Sequence, residues 1–69
     1  MALNYEYNYA EIDLSTGMCI GVHSGTTPLV GAEFVEIPVN DSAYLLKYYI
    51  NGEWYEDAEG TIPWQSSLI

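Results

Sequence analysis

The chain carries its clearest folding signal in the sequence YYINGEWYE, which runs from Tyr48 to Glu56. An Asn-Gly pair between two runs of strand-forming residues predicts a two-residue β-hairpin, because both central positions of a type I′ turn need φ > 0 and Asn and Gly tolerate it best. The turn also sets the register of its two strands. We therefore predict that Tyr49 lies opposite Trp54. The same register places Lys47, the only Lys or Arg of the chain, opposite Glu56.

Residues 4–13, with the sequence NYEYNYAEID, begin with a strict alternation of tyrosine and polar residues, which predicts a strand. Three tyrosines, Tyr5, Tyr7 and Tyr9, share one face of this strand because side chains alternate with a period of two. Tyrosine combines a large apolar ring with a polar hydroxyl, so such a face suits a protein interface. It suits a half-buried core face equally well, and the sequence leaves both interpretations open.

The turn sequence LSTG follows, and a return strand is predicted over residues 18–24. A four-residue loop between the two strands places Ile12 opposite Cys19. It also places Glu11 opposite Ile20.

The rest of the chain adds a strand, a short turn and a tail. Residues 33–39 are predicted as a third strand that lies at a sheet edge or ends near Pro38, because proline cannot donate to a ladder. Residues 42–46 follow the capping sequence NDS and predict at most one short helical turn. Residues 62–69 form an apolar C-terminal tail. We expect Pro63 to keep this tail off the sheet, so that it packs across the sheet or inserts into a neighbouring subunit.

Together these elements predict one small domain over residues 1–69, mainly β, built as an antiparallel meander of four to five strands with at most one short helix. A chain of this size buries only about 60% of its unfolded surface, and small domains usually need an additional source of stability. One cysteine excludes an internal disulfide, and one histidine leaves too few ligands for zinc. Oligomerisation or docking on a larger protein remains as the additional source of stability. The alternative source is an efficient core built from ten aromatic residues.

The net charge of −9 limits the possible partners. We expect no direct binding to nucleic acid, because such binding needs clustered cations to neutralise phosphates. Binding to an anionic membrane surface is disfavoured for the same reason. No signal peptide and no apolar run of membrane-spanning length is evident, so we expect synthesis in a cytoplasm.

No arrangement of residues indicates catalysis. Cys19 and His23 lie four positions apart on one strand, about 13 Å by strand rise, which is too far for a shared metal or a nucleophile–base pair. Neighbouring acids such as Glu56 and Asp57 point to opposite faces of a strand. We therefore predict no catalytic residue, no metal site, no cofactor and no enzymatic activity.

Four motifs resemble small modules encoded by tailed bacteriophages: YAEID at 9–13, GMCIGV at 17–22, VEIP at 35–38 and YINGEWYE at 49–56. The resemblance covers most of residues 5–57. Such modules occur as short virion-associated proteins of the tail, fibre, baseplate or head-decoration type. Their motifs are structural, and no catalytic residue is carried over from them.

The resemblance implies a structural or assembly protein of a bacteriophage particle, made in the host bacterial cytoplasm and located in the virion. Its partners would be proteins, either further copies of itself or a larger virion protein. The residues expected to form the protein interface are Tyr5, Tyr7, Tyr9, Trp64, Leu68 and Ile69. The alternative is a small acidic phage inhibitor, a DNA mimic that blocks a host defence or nucleic-acid-binding protein with carboxylates such as Glu53, Asp57 and Glu59.

Overall fold

The structure, a computed structural model, describes residues 6–69 and confirms the predicted fold class. The described residues form five strands in two antiparallel sheets, with one 3₁₀ turn and no α-helix. The elements are β1 (Tyr7–Ile12), β2 (Cys19–Gly25), β3 (Phe34–Glu36), the 3₁₀ turn (Ser42–Tyr44), β4 (Tyr48–Ile50) and β5 (Glu53–Tyr55).

The larger sheet has the strand order β2-β1-β3, so β1 is its central strand. β3 pairs with β1 instead of with its predecessor, which departs from the sequential order of a meander. As predicted, β3 is an edge strand that ends before Pro38. Ala10 of β1 lies opposite both Val22 of β2 and Val35 of β3, which places these three side chains on one apolar face.

A β-bulge interrupts the pairing of β1 with β2. Ile12 lies opposite Cys19 as predicted, but Glu11 lies opposite Gly21. The predicted pairing of Glu11 with Ile20 is wrong, because Ile20 is the extra residue of the bulge and is left without an opposite residue. The bulge allows Cys19 to be fully buried while Ile20 remains 51% exposed.

The hairpin of β4 and β5 has the predicted register, with Tyr49 opposite Trp54. Asn51 and Gly52 have φ of 50° and 85°, as a type I′ turn requires. The predicted pairing of Lys47 with Glu56 is wrong, because the ladder begins only at Tyr48. The Lys47 ammonium lies instead over the indole ring of Trp64, 5.1 Å from its centroid.

The two sheets are joined where β2 and β4 begin. Met18 and Tyr48 form an isolated antiparallel bridge. On one side of this bridge, the Cys19 N–H donates to the Lys47 carbonyl at 2.7 Å, and the Leu46 N–H donates to the Cys19 carbonyl at 2.9 Å. We call this set of backbone contacts at Cys19 the sheet junction. It connects the smaller sheet directly to β2 of the larger one.

The core lies between the apolar face of the larger sheet and the aromatic residues of the smaller sheet and tail. Its buried members are Ala10, Ile12, Cys19, Ile37 and Tyr44, and its partly buried neighbours are Val22, Val35, Tyr49, Trp54 and Trp64. Tyr44 of the 3₁₀ turn contacts two indole rings edge-on, with centroids 5.0 Å from Trp54 and 4.9 Å from Trp64. Such edge-to-face pairs contribute about 0.5–1.5 kcal/mol each beyond their buried area.

The tail extends the smaller sheet, so the prediction that Pro63 keeps it off the sheet is wrong. Pro63 forms a bridge with Tyr55. The hydrogen bonds are made by its neighbours, since the Trp64 N–H donates to the Trp54 carbonyl at 3.0 Å and the Ile62 carbonyl accepts from Glu56 at 2.8 Å. The proline itself occupies a position of the ladder that requires no N–H donor.

The role of the hairpin turn is testable with two glycines that differ in backbone conformation. A Cβ added at Gly52 or at Gly25 would meet nothing within 4 Å, but only Gly52 has a positive φ. We expect Gly52→Ala to lower the free energy of unfolding by about 1 kcal/mol because of left-handed strain. Gly25→Ala should leave it unchanged or raise it by up to about 1 kcal/mol. Equal urea midpoints for the two variants would contradict the assigned turn.

Candidate interaction surfaces

Two of the predicted interface tyrosines lie on the face of the larger sheet that points away from the core. Tyr7 and Tyr9 share this outer face as predicted, and their rings stack with centroids 6.3 Å apart and planes at 7°. Tyr5 lies outside the described residues. Tyr9 is only 9% exposed, whereas Tyr7 is half-buried. Tyr7 is therefore the more accessible of the two.

A small cluster covers Tyr9 on the outer face. The Phe34 ring contacts Tyr9 edge-on, with centroids 6.2 Å apart, and the His23 ring contacts Phe34 at 6.1 Å. His23 Nε2 is 2.8 Å from Glu11 Oε1. Gly21 makes room for this contact, since a Cβ there would lie 3.1 Å from His23 Nε2. Because both side chains are partly exposed, the His23–Glu11 contact orders the surface more than it stabilises the fold.

A shallow cleft of about 260 Å³ lies beside this cluster. It is lined by Tyr9, His23, Ser24, Gly25, Thr27 and Leu29. Pockets that hold drug-sized ligands or cofactors usually measure about 300–1,000 Å³. The cleft lies just below this range.

The C-terminal tail is bound to the 3₁₀ turn by a buried polar contact. Ser66, 2% exposed, donates its hydroxyl to Asp41 Oδ2 at 2.5 Å. Asp41 Oδ1 accepts from the Ala43 N–H at 2.9 Å and so caps the 3₁₀ turn. These two hydrogen bonds lower the pKa of the Asp41 carboxyl below its usual value. At neutral pH the tail is therefore held by a charged acceptor.

The other predicted interface residues divide between the core and the surface. Trp64 is half-buried against Tyr44, so most of its ring serves the protein's own packing. Leu68 and Ile69 are 61% and 57% exposed. The structure does not bring the tail residues together with the tyrosines, because Tyr7 lies on the outer face and Trp64 packs against the opposite, core side.

Leu46 is an exposed apolar residue that the sequence analysis missed. It has a φ of 70° and is 65% exposed. Leu45 has φ −56° and ψ 134°, and the Lys47 N–H donates to the Tyr44 carbonyl at 3.0 Å, which together define a type II turn. Leu46 occupies the turn position that normally holds glycine. The sequence did not predict this turn, because it has no glycine at that position.

Three features of the described residues concern nucleophiles, metal ligands and membrane-spanning helices. The Cys19 thiol is buried, donates to the Gly21 carbonyl at 3.2 Å and has its pKa raised by burial. Residues 6–69 contain no group of three or more His, Cys, Asp or Glu side chains that could hold a metal ion. In the same part of the chain, no helix has the length and apolar character needed to span a membrane.

No family model, curated protein or solved structure matches this chain. Its function must therefore be inferred from the geometry of its surfaces and from the resemblance of its motifs.

The strain at Leu46 is testable against its neighbour Leu45. Leu46→Gly should relieve about 1–2 kcal/mol of left-handed strain, which offsets the entropy cost of about 0.5–1 kcal/mol that glycine brings. We expect Leu46→Gly to be neutral or up to about 1 kcal/mol more stable in urea unfolding. Leu45→Gly, at negative φ, should be destabilised by about 0.5–1 kcal/mol or more. Equal losses would mean that the Leu46 side chain makes stabilising contacts that outweigh its strain.

Proposed function

We propose that this protein is a non-enzymatic structural or assembly protein of a bacteriophage particle, acting through protein–protein contacts. The observation that carries the proposal is the excess of exposed over buried large apolar side chains. Among residues 6–69, six hydrophobic residues are buried, two of which are the small Ala10 and Cys19, whereas nine large ones are 39–91% exposed. The exposed residues are Leu14, Ile20, Leu29, Val30, Leu45, Leu46, Ile62, Leu68 and Ile69. Single exposed apolar residues are normal, but this number in so small a chain favours partner proteins.

The phage assignment is supported by the resemblance of the four sequence motifs to virion-associated modules. In this role the chain decorates, joins or caps a larger structure of the head or tail. Its partners are further copies of itself or a larger virion protein, and its location is the virion after synthesis in the bacterial cytoplasm. The net charge of −9 keeps the free chain soluble before assembly and argues against direct contact with nucleic acid or membrane.

The alternative, a DNA mimic, has weaker support from the acidic side chains. Asp57 is occupied by its own loop, because its Oδ1 accepts from the N–H groups of Thr61 and Ile62 at 2.9 Å each. The Thr61 hydroxyl also donates to Asp57, and these bonds lower the pKa of its carboxyl. Glu53 accepts from the Tyr55 hydroxyl at 3.0 Å. Two of the three proposed phosphate mimics are thus engaged within the protein, which favours the assembly role.

The proposal is tested by fractionating lysate of the phage that encodes the chain on a density gradient. We expect the protein to co-sediment with particles. Leu68→Asp should reduce its recovery with particles at least fivefold, because it places a charge in an exposed apolar site at the tail. Ser67→Asp adds the same charge at the adjacent exposed residue and should leave recovery unchanged.

A protein that remains entirely in the soluble fraction would contradict the particle role. If that soluble protein also released a host DNA-binding protein from DNA, the DNA-mimic alternative would replace it.

A further inference from the structure

The longest uncharged segment of the chain lies at residues 14–32. It contains no Asp, Glu, Lys or Arg, although the chain as a whole holds ten acidic residues and has a net charge of −9. β2 lies entirely within this segment, and so do the exposed residues Leu29 and Val30 that follow it. No carboxylate of this segment opposes another acidic molecule here, although the Glu11 carboxylate of β1 lies against His23.

β2 also has a free hydrogen-bonding edge. On β1, the Asn8 carbonyl and the Ile12 N–H are bonded toward β3. Backbone groups of alternate residues point to opposite edges of a strand, so Tyr9 of β1 is bonded toward β2, to its opposite residue His23. The N–H and C=O groups on either side of His23, those of Val22 and Ser24, consequently point away from β1.

These four backbone groups have no partner within the part of the chain that the structure describes. The backbone bonds on the outer edge of β2 stop at Cys19, which is bonded to Leu46 and Lys47. Beyond that point, from Val22 to Gly25, the edge is open. Such an edge, without charge and without proline, is a template for pairing with another strand.

We propose that a second copy of this chain pairs with the outer edge of β2. The two β2 strands run antiparallel about a two-fold axis at His23, with Val22 opposite Ser24 of the partner subunit. This register satisfies both free donors and both free acceptors of each copy with four inter-chain hydrogen bonds. It joins two three-stranded sheets into one sheet of six strands, in the order β3-β1-β2-β2-β1-β3.

The register itself favours a second copy at this edge, because Val22 and Ser24 of one copy offer the donors and acceptors that Ser24 and Val22 of the other copy need. Residues 14–32 contribute no carboxylate that would repel a second copy, and the Glu11 carboxylate of the neighbouring strand contacts His23 of its own chain. The other sheet edges are protected by charge or proline, since β3 ends at Glu36 before Pro38, and Pro63 lies in the tail beside β5. The β2 edge is the strand edge of the described residues that has neither form of protection.

The contact is small, and this sets the expected affinity. Stable interfaces usually bury about 1,200 Å² or more in total, which a single pair of short strands does not reach. Leu29, 40% exposed, lines the cleft beside His23 and Ser24 of β2 and would add apolar area. We expect a dimer with a Kd on the order of 10 μM, which strengthens as added salt screens the repulsion between two acidic copies.

The β2 contact would be one of the protein–protein contacts of the proposed assembly role, and its biological purpose rests on that role. The contact itself is inferred from the backbone geometry of β2 and from the absence of Asp, Glu, Lys and Arg in residues 14–32. The two are separable by experiment. A chain that binds particles but stays monomeric would overturn the β2 contact and not the assembly role. A chain that dimerises through β2 but never enters particles would overturn the assembly role and not the contact.

The test is sedimentation velocity of the purified chain from about 1 to 300 μM, with two variants at Ser24. Ser24→Pro removes an N–H that points away from β1, a position at which an edge strand tolerates proline. Ser24→Ala removes the hydroxyl contacts with Asn8 and Asn40 but keeps the N–H, so it controls for the side chain. We expect the parent and Ser24→Ala to dimerise alike, and Ser24→Pro to dimerise at least tenfold more weakly.

Amide hydrogen exchange on the parent protein tests the β2 contact even if Ser24→Pro fails to fold. The Val22 and Ser24 amides should become at least tenfold more protected as concentration rises through the dimer range, while the His23 amide, already bonded to β1, changes less. A monomer at 300 μM, equal dimerisation of Ser24→Pro, or concentration-independent exchange at Val22 and Ser24 would overturn the proposal.

Discussion

The backbone contacts of Cys19 at the sheet junction are the constraint on which the rest of the structure depends. Through them β2 holds Leu46 and Lys47, and so fixes where the 3₁₀ turn ends and where the hairpin of β4 and β5 begins. The same position buries the Cys19 side chain completely. Since a chain of this size has a small core, a few junction hydrogen bonds decide whether Tyr44 meets the two indole rings.

Exposed apolar side chains also flank the junction. Ile20 of the β2 bulge is 51% exposed, and Leu46 of the type II turn before β4 is 65% exposed. Beyond Cys19, β2 has no further partner on its outer edge among residues 6–69. The geometry that closes the core therefore leaves an uncharged edge and exposed side chains, and these are the features on which the proposals of assembly and self-association rest.

Local chemistry predicted the parts of the fold that neighbouring residues determine. Asn51 and Gly52 dictate the hairpin and its register because few other residues tolerate their φ values. The bulge at Ile20 was not predicted, because alternation along β1 and β2 gives no sign of an extra residue. The left-handed conformation of Leu46 was not predicted either, because the sequence has no glycine at this position of the turn. Alternation placed Tyr7 and Tyr9 on one face, but it did not reveal that Phe34 covers one of them.

Native-state hydrogen exchange across a urea series tests the sheet junction most directly. If the junction holds the two sheets together, the amides of Cys19 and Leu46 exchange only through global unfolding, with the same free energy and urea dependence as the Ile12 amide in the larger sheet. Exchange of the junction amides at clearly lower free energy and with little urea dependence, while Ile12 stays protected, would show that the sheets separate locally and would contradict this account.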